Sequence, residues 1–98
     1  MNEILRDKDE FRLDVHGAYL RRTDLSNANL EGANLSGANF TDAILRGANL
    51  KNAILKGTIL RGADLTDAKN LTRAQIETAV IDDRTRLPAV VDDMPMAK

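Results

Sequence analysis

Large apolar residues recur at every fifth position through the middle of this chain. We call these residues the centres, and they are Leu20, Leu25, Leu30, Leu35, Phe40, Leu45, Leu50, Leu55, Leu60 and Leu65. An alanine stands two positions before eight of these ten centres, with Thr23 and Thr58 as the exceptions. All six glycines fall two positions after a centre when Val15 is counted as an earlier one. This regularity predicts an architecture of short repeated units.

Each position of the unit has a structural role. On an extended segment the alanine and the centre point to the same side, and the residue between them points outward. The position two after the centre is Gly or one of four residues that tolerate a left-handed backbone: Asn27, Asp42, Asn52 and Asp67. Arg22 is the exception. A chain that turns at every fifth residue closes into a coil, and four right-angle turns give a coil of about 20 residues. Such coils stack about 4.8 Å apart, so the pattern predicts an all-β solenoid.

The units of the A(N/D)LxG type from Ala18 to Ala68 resemble the pentapeptide-repeat family. Residues 13–17 resemble a first, less regular unit. The resemblance implies a right-handed quadrilateral β-helix, which this number of units would extend to a little under three coils. It also implies a non-catalytic protein, and a subset of the family inhibits bacterial topoisomerases by resembling DNA in shape and charge.

The predicted β-helix covers residues 13–70, and the segments on both sides of it depart from the five-residue period. Residues 1–12 are predicted to be a lead-in that caps the first coil, because an end coil exposes apolar side chains and unpaired backbone. Thr72 and Gln75 have the spacing of a helix capping box, with Leu71 and Ile76 placed as its hydrophobic staple. They predict a C-terminal helical cap over residues 71–91, with a helix of about two turns ending near residues 81–83. The alternative role of that helix is dimerisation. Residues 92–98 are predicted to be a flexible tail.

The composition argues against catalysis and against metal or cofactor binding. The chain has 98 residues, no cysteine, one histidine (His16) and a formal net charge of −1. It therefore offers no thiol nucleophile, and His16 has no clustered partners that would make a metal site. We predict no catalytic, metal or cofactor-binding residues, no cofactor and no small-molecule substrate. The charge balance does not favour nucleic acid. No apolar run is long enough to cross a membrane, and the start is too charged for a signal peptide, so the cytoplasm is expected.

Function would be determined by the outward residues. Asn29 is predicted to lie above Asn49 in a side-chain amide ladder. Four outward residues are apolar or aromatic and are the candidate interaction surface: Tyr19, Ile44, Ile54 and Ile59. One interpretation is β-propensity on a wall, where single exposed apolar residues are common. The other is a contact patch for another protein.

The leading hypothesis is a non-catalytic protein-interaction or scaffold module. It would bind through a wall of the β-helix or by end-to-end stacking with a second copy or another pentapeptide-repeat chain. Stacking is the favoured form, because the end of the first coil has the weaker cap. The first alternative is a topoisomerase (gyrase) modulator that mimics DNA. A DNA mimic needs rows of carboxylates, whereas residues 18–67 carry six basic and five acidic residues. The second alternative is a structural remnant with no dedicated partner.

Overall fold

The computed structural model describes residues 13–92. The lead-in predicted for residues 1–12 and most of the predicted tail, residues 93–98, lie outside the described residues. Within them the outward residue of each five-residue unit pairs in parallel with the outward residue twenty positions later, from Asp14 with Asn34 to Asn49 with Lys69. The chain therefore winds into stacked four-sided coils, as the period of five predicts.

The outward residues form four walls along the axis of the coils. Wall 1 contains Tyr19, Asn39, Ile59 and Val80; wall 2 contains Asp24, Ile44, Asp64 and Arg86; wall 3 contains Asn29, Asn49 and Lys69; wall 4 contains Asp14, Asn34 and Ile54. On each wall the coils are joined by backbone hydrogen bonds. On wall 1, for example, the Asn39 N–H donates to the carbonyl of Ala18 (2.8 Å), and the Asn39 carbonyl accepts from the Leu20 N–H (2.8 Å).

The corners between walls require a left-handed backbone, as the sequence predicts. All six glycines have φ between 68° and 71°, and the corner residues Asn27, Asp42, Asn52 and Asp67 have φ between 59° and 63°. Arg22 adopts the same conformation, with φ of 61°, although an arginine gains nothing locally from it. A corner side chain leans toward the next coil, and a Cβ at Gly47 would overlap the side-chain oxygen of Asn27. Gly47 is thus required both by its φ of 71° and by the residue beneath it.

The interior is filled by the centres and alanines. Every centre from Leu30 to Leu65 is at most 3% exposed, and burying one leucine stabilises the fold by about 1.5–3 kcal/mol. Thr58 replaces an alanine and is fully buried, but its hydroxyl donates to the carbonyl of Leu35 at 2.6 Å. Leu20 and Leu25 of the first coil are only partly buried, since no coil within residues 13–92 lies beneath them.

Helix α1, Arg73–Glu77, begins at the capping box that the sequence contains. The Thr72 side chain accepts from the Gln75 N–H, and the Gln75 side chain accepts from the Thr72 N–H. The Gln75 amide also donates to the carbonyls of Leu50 and Ala53, at 2.8 and 2.9 Å. Gln75 therefore donates to two carbonyls at the end of the last coil, and at Ala53 it replaces the backbone N–H that a further coil would supply.

The predicted two-turn helix is wrong in length, because α1 ends at Glu77. The chain then returns to the walls, where Val80 pairs with Ile59 and Arg86 pairs with Asp64. A longer helix would remove the backbone of Val80 from that pairing. Between these two residues an Asp82 side-chain oxygen accepts from the Gly62 N–H at 3.0 Å. A second short helix, α2, follows at Ala89–Asp92.

Substituting two corner glycines tests the stacking rule at the corners. Gly57→Ala is expected to lower the free energy of unfolding by about 1 kcal/mol, the cost of alanine at positive φ, because only the Gly37 backbone lies near, at 3.8 Å. Gly47→Ala is expected to cost more, since the new Cβ also displaces Asn27. Urea unfolding measures both variants. In an Asn27→Gly background the excess should disappear, and equal losses in the native background would contradict the rule.

Candidate functional site

The outward Asn and Asp side chains stabilise the corners. In each case Oδ1 accepts the backbone N–H two residues later, at 3.0–3.2 Å. The pairs are Asp14–His16, Asp24–Ser26, Asn29–Glu31, Asn34–Ser36, Asn39–Thr41, Asn49–Lys51 and Asp64–Thr66. This is the Asx turn, in which a short polar side chain satisfies a backbone donor that the turn leaves unpaired. An outward Asn or Asp is thus explained by the fold.

Wall 3 carries the predicted amide ladder. The Asn49 amide donates to the Asn29 side-chain oxygen at 3.4 Å, which confirms the prediction. Asn70 continues the ladder by donating to the Asn49 oxygen at 2.9 Å. These side chains are engaged with the corners and with one another, so wall 3 offers a partner little that is not already hydrogen-bonded.

Four outward positions between residues 14 and 64 break the Asx rule, and they are the four candidate surface residues. None of their side chains accepts a hydrogen bond from the backbone N–H two residues later. Tyr19 is 72% exposed, Ile54 is 49% exposed, Ile44 is 36% exposed and Ile59 is partly buried. Two residues after each stands a basic residue: Arg21, Arg46, Lys56 and Arg61. No acceptor for the backbone N–H of these four lies among residues 13–92. A lost hydrogen bond typically costs about 0.5–1.5 kcal/mol.

The structure places two of the four on the same wall. Tyr19 and Ile59 share wall 1, on either side of Asn39, and Val80 extends the same wall beyond Ile59. Ile44 is on wall 2 between two aspartates, and Ile54 is on wall 4. Sequence reasoning missed Val80, because it follows the break in register and rejoins the wall 21 positions after Ile59. Wall 1 is therefore the most apolar of the four.

The edge between walls 1 and 2 carries the densest positive charge in the regular coils. Its corners contain three arginines, Arg21, Arg22 and Arg61, and one carboxylate, Asp42. Asp42 is paired with Arg84 at 3.3 Å. Arg21 donates to the Tyr19 hydroxyl at 3.2 Å. Within residues 13–92 none of the three arginines has an ion-pair partner.

Two carboxylates on or near the edge between walls 1 and 2, Asp64 and Asp82, are held in the charged state by hydrogen bonds. Burial raises the pKa of Asp64, but hydrogen bonds from Thr66 and Arg46 outweigh it, so this pKa lies below its ordinary value. The pKa of Asp82 is also lowered, since hydrogen bonds from Gly62, Arg84 and Thr85 outweigh desolvation. Both carboxylates are committed to the fold.

The described residues have surface depressions that open to solvent and no clustered metal ligands. No cluster of three His, Cys, Asp or Glu side chains that could hold a metal occurs in residues 13–92. A depression of about 450 Å³ beside α1, lined by Lys51, Asn70 and Gln75 among others, opens widely to solvent. No helix of the described part is long and apolar enough to cross a membrane.

The walls and left-handed corners define a four-sided β-solenoid whose surface is fixed by the fold except at a few positions. The family model for Pentapeptide repeats matches residues 14–47 and 43–81, with eight copies. The chain belongs to the pentapeptide-repeat family, whose members form right-handed quadrilateral β-helices. No curated protein matches the sequence significantly.

A solved structure supports the same assignment. The chain is similar to a pentapeptide repeat protein (Rfr23) from the cyanobacterium Cyanothece 51142, with 34% identity and a TM-score of 0.65 over 78% of this chain. It covers 51% of that protein, and so spans about half its length. A pentapeptide repeat protein (alr5209) from Nostoc Pcc 7120 matches with 29% identity and a TM-score of 0.35, over 82% of this chain and 78% of that one.

Exchanging side chains on wall 4 tests the Asx rule. Asn34→Ile is expected to lower the free energy of unfolding by about 1 kcal/mol, because the Asn34 oxygen accepts both from the Ser36 N–H (3.1 Å) and from its hydroxyl (2.7 Å). Ile54→Asn, one coil further on the same wall, is expected to cost nothing, since it offers an acceptor to the Lys56 N–H. Chemical denaturation followed by circular dichroism measures both. A large loss for Ile54→Asn would contradict the rule.

Acid unfolding tests the role of Asp64. Its folded pKa is lowered, so its contribution is fully present above about pH 5 and is lost as the pH falls through the folded value. Asp64→Asn keeps the Asx acceptor but cannot titrate. Its free energy of unfolding is therefore expected to fall less than that of the native chain between about pH 5 and about pH 3, a range that brackets ordinary carboxyl pKa values. Asp83→Asn is the control, because within residues 13–92 this carboxylate accepts no hydrogen bond. Identical pH profiles for Asp64→Asn and the native chain would refute the role.

Proposed function

We propose that this chain is a non-catalytic protein-interaction module that binds its partner through wall 1. The observation that carries the proposal is that Tyr19 and Ile59, which both break the Asx rule, lie on one wall. Each replaces an Asn or Asp that would have stabilised the following corner. The exposed side chain of Tyr19 and the exposed part of Ile59 gain free energy when another surface covers them.

The wall is suited to such contact. Ile59 and Val80 are adjacent through backbone pairing, and Tyr19 supplies a large amphipathic side chain of the kind that dominates binding energy. Because hydrogen bonds between coils hold the wall rigid, little conformational entropy is lost on binding. Pentapeptide-repeat proteins are generally non-enzymatic interaction or structural modules, which agrees with this role.

The ends of the rod have different roles in this proposal. The rod has a little under three coils, and its last coil is capped by α1 and α2. The burial of Leu71, Ile76 and Val91, each at most 6% exposed, supports the cap. At the first coil Leu20 and Leu25 are only partly covered within residues 13–92. End-to-end stacking on a second copy is therefore the second candidate mode.

Affinity capture with matched wall variants tests the proposal. The tagged chain serves as bait in lysate of the source organism, beside Tyr19→Asn/Ile59→Asn on wall 1 and Ile44→Asn/Ile54→Asn on walls 2 and 4. Each substitution installs the residue type that the wall prefers, so folding should be preserved, and the melting temperature checks this. The expected result is a stoichiometric partner lost only in the wall 1 variant.

Other results would redirect or overturn the proposal. Retention of the partner by the wall 1 variant would overturn it. Equal loss in both variants would show that the contact is not specific to wall 1. Capture of untagged copies of the chain itself, unaffected by either variant, would support end-to-end stacking instead.

A further inference from the structure

We propose that the partner places an acidic, extended segment against wall 1, with its carboxylates on Arg21 and Arg61. The inference rests on the proposed function and adds the chemistry of the partner to it. The starting observation is that the two exceptions on wall 1 are the same three-residue unit, an apolar or aromatic residue followed two positions later by arginine: Tyr19 with Arg21, and Ile59 with Arg61.

Neither Arg21 nor Arg61 forms an ion pair with a carboxylate of residues 13–92, whereas two other arginines do. Asp42 interacts electrostatically with Arg21 but is already paired with Arg84. Arg46 pairs with Asp64 at 3.1 Å, and Arg84 pairs with Asp42 at 3.3 Å. Arg21 reaches only the Tyr19 hydroxyl, and Arg61 has no side-chain hydrogen bond within the described part of the chain. An arginine fork binds a carboxylate through two parallel hydrogen bonds, so two carboxylates from a partner would complete both sites.

Charge also distinguishes this edge from the other three. In the regular coils its corners carry three arginines and one aspartate, and that aspartate is engaged by Arg84. Beyond the regular coils the same edge adds Asp82, Asp83 and Arg84, and Asp82 is bound to the Gly62 N–H. The edge between walls 2 and 3 carries Arg46 and Asp67, and the edge between walls 3 and 4 carries Lys51 and Glu31. The edge between walls 4 and 1 carries one lysine, Lys56, and the histidine His16. Two edges border the apolar wall, and the edge between walls 1 and 2 carries three arginines, whereas the edge between walls 4 and 1 carries one lysine.

Spacing favours an extended peptide over a nucleic acid. Arg21 and Arg61 are two coils apart, about 9.6 Å along the axis. In a polyproline II segment every third residue returns to the same side after about 9.3 Å, so acidic residues three apart match this spacing. Each strand of a DNA duplex instead carries a phosphate about every 3.4 Å of axis, which would bring phosphates against Asp42 in the intervening coil. The formal net charge of −1 also disfavours polyanions.

Nuclear magnetic resonance titration with defined probes tests the proposal. The probe is a nine-residue peptide of three Glu-Pro-Leu repeats, which places carboxylates on one side of the segment and leucines on another. Its counterpart has Lys in place of Glu, and a third probe is a nine-nucleotide thymidine strand. With the acidic peptide, shifts in the amide spectrum are expected to concentrate at Tyr19, Arg21, Asn39, Ile59 and Arg61, and the Lys counterpart should produce none there.

Charge reversal at equivalent repeat positions provides the matched control. Arg21→Glu/Arg61→Glu is expected to weaken binding of the acidic peptide about tenfold or more, whereas Lys51→Glu/Lys56→Glu should change it less than about twofold. Arg21→Gln/Arg61→Gln gives the same answer if charge reversal disturbs folding. Binding should also weaken as salt is raised.

Three outcomes would overturn the inference. They are equal binding of the Lys counterpart, equal weakening in the Lys51/Lys56 control, and tighter binding of the thymidine strand at the same residues. None of them would refute the interaction module itself. A cellular partner that is lost in the Tyr19→Asn/Ile59→Asn variant but retained by the Arg21/Arg61 variants would uphold wall 1 and refute only the acidic segment.

Discussion

The left-handed corner at every fifth residue is the constraint on which the rest of this structure depends. It turns the chain through about a right angle, so that four units return it to the start of the next coil. The return brings outward residues twenty positions apart into backbone pairing. It also aligns the centres into a continuous apolar interior, in which Leu35, Phe40 and Leu45 are each 1% exposed. Without the corner there is neither a wall nor a core.

The corner also determines which outward side chains the wall tolerates without loss. The turn leaves a backbone N–H unpaired at its first residue, and a short carbonyl or carboxylate two positions earlier accepts it. Seven outward residues do this. The wall is therefore polar for a structural reason, and a polar wall in this fold is not by itself evidence of function.

Much of the architecture could be predicted from sequence because the determinants are local. The centres, the alanines and the corner residues depend only on position within a unit of five, and even Arg22 follows the corner conformation. The Asx turns were not predicted, although the sequence contains their signal: Asn34-Leu35-Ser36 and Asn39-Phe40-Thr41 place an acceptor two residues before a donor. The length of α1 could not be predicted, because it depends on Val80 and Arg86 pairing with walls built some twenty residues earlier.

The candidate site lies between these cases. That Tyr19, Ile44, Ile54 and Ile59 are unusual can be seen in the sequence, but which of them share a surface follows from the register of the coils. The period of twenty separates Ile44 and Ile54 onto different walls and places Ile59 two coils from Tyr19. Val80 joins Tyr19 and Ile59 on wall 1 only because the chain contains one extra residue after the last coil, so that Val80 follows Ile59 by 21 positions. In a repeat fold most surface residues follow from the repeat and say little about function, so a residue that departs from the repeat is informative. Two departures of the same kind on one wall are more informative than four on separate walls.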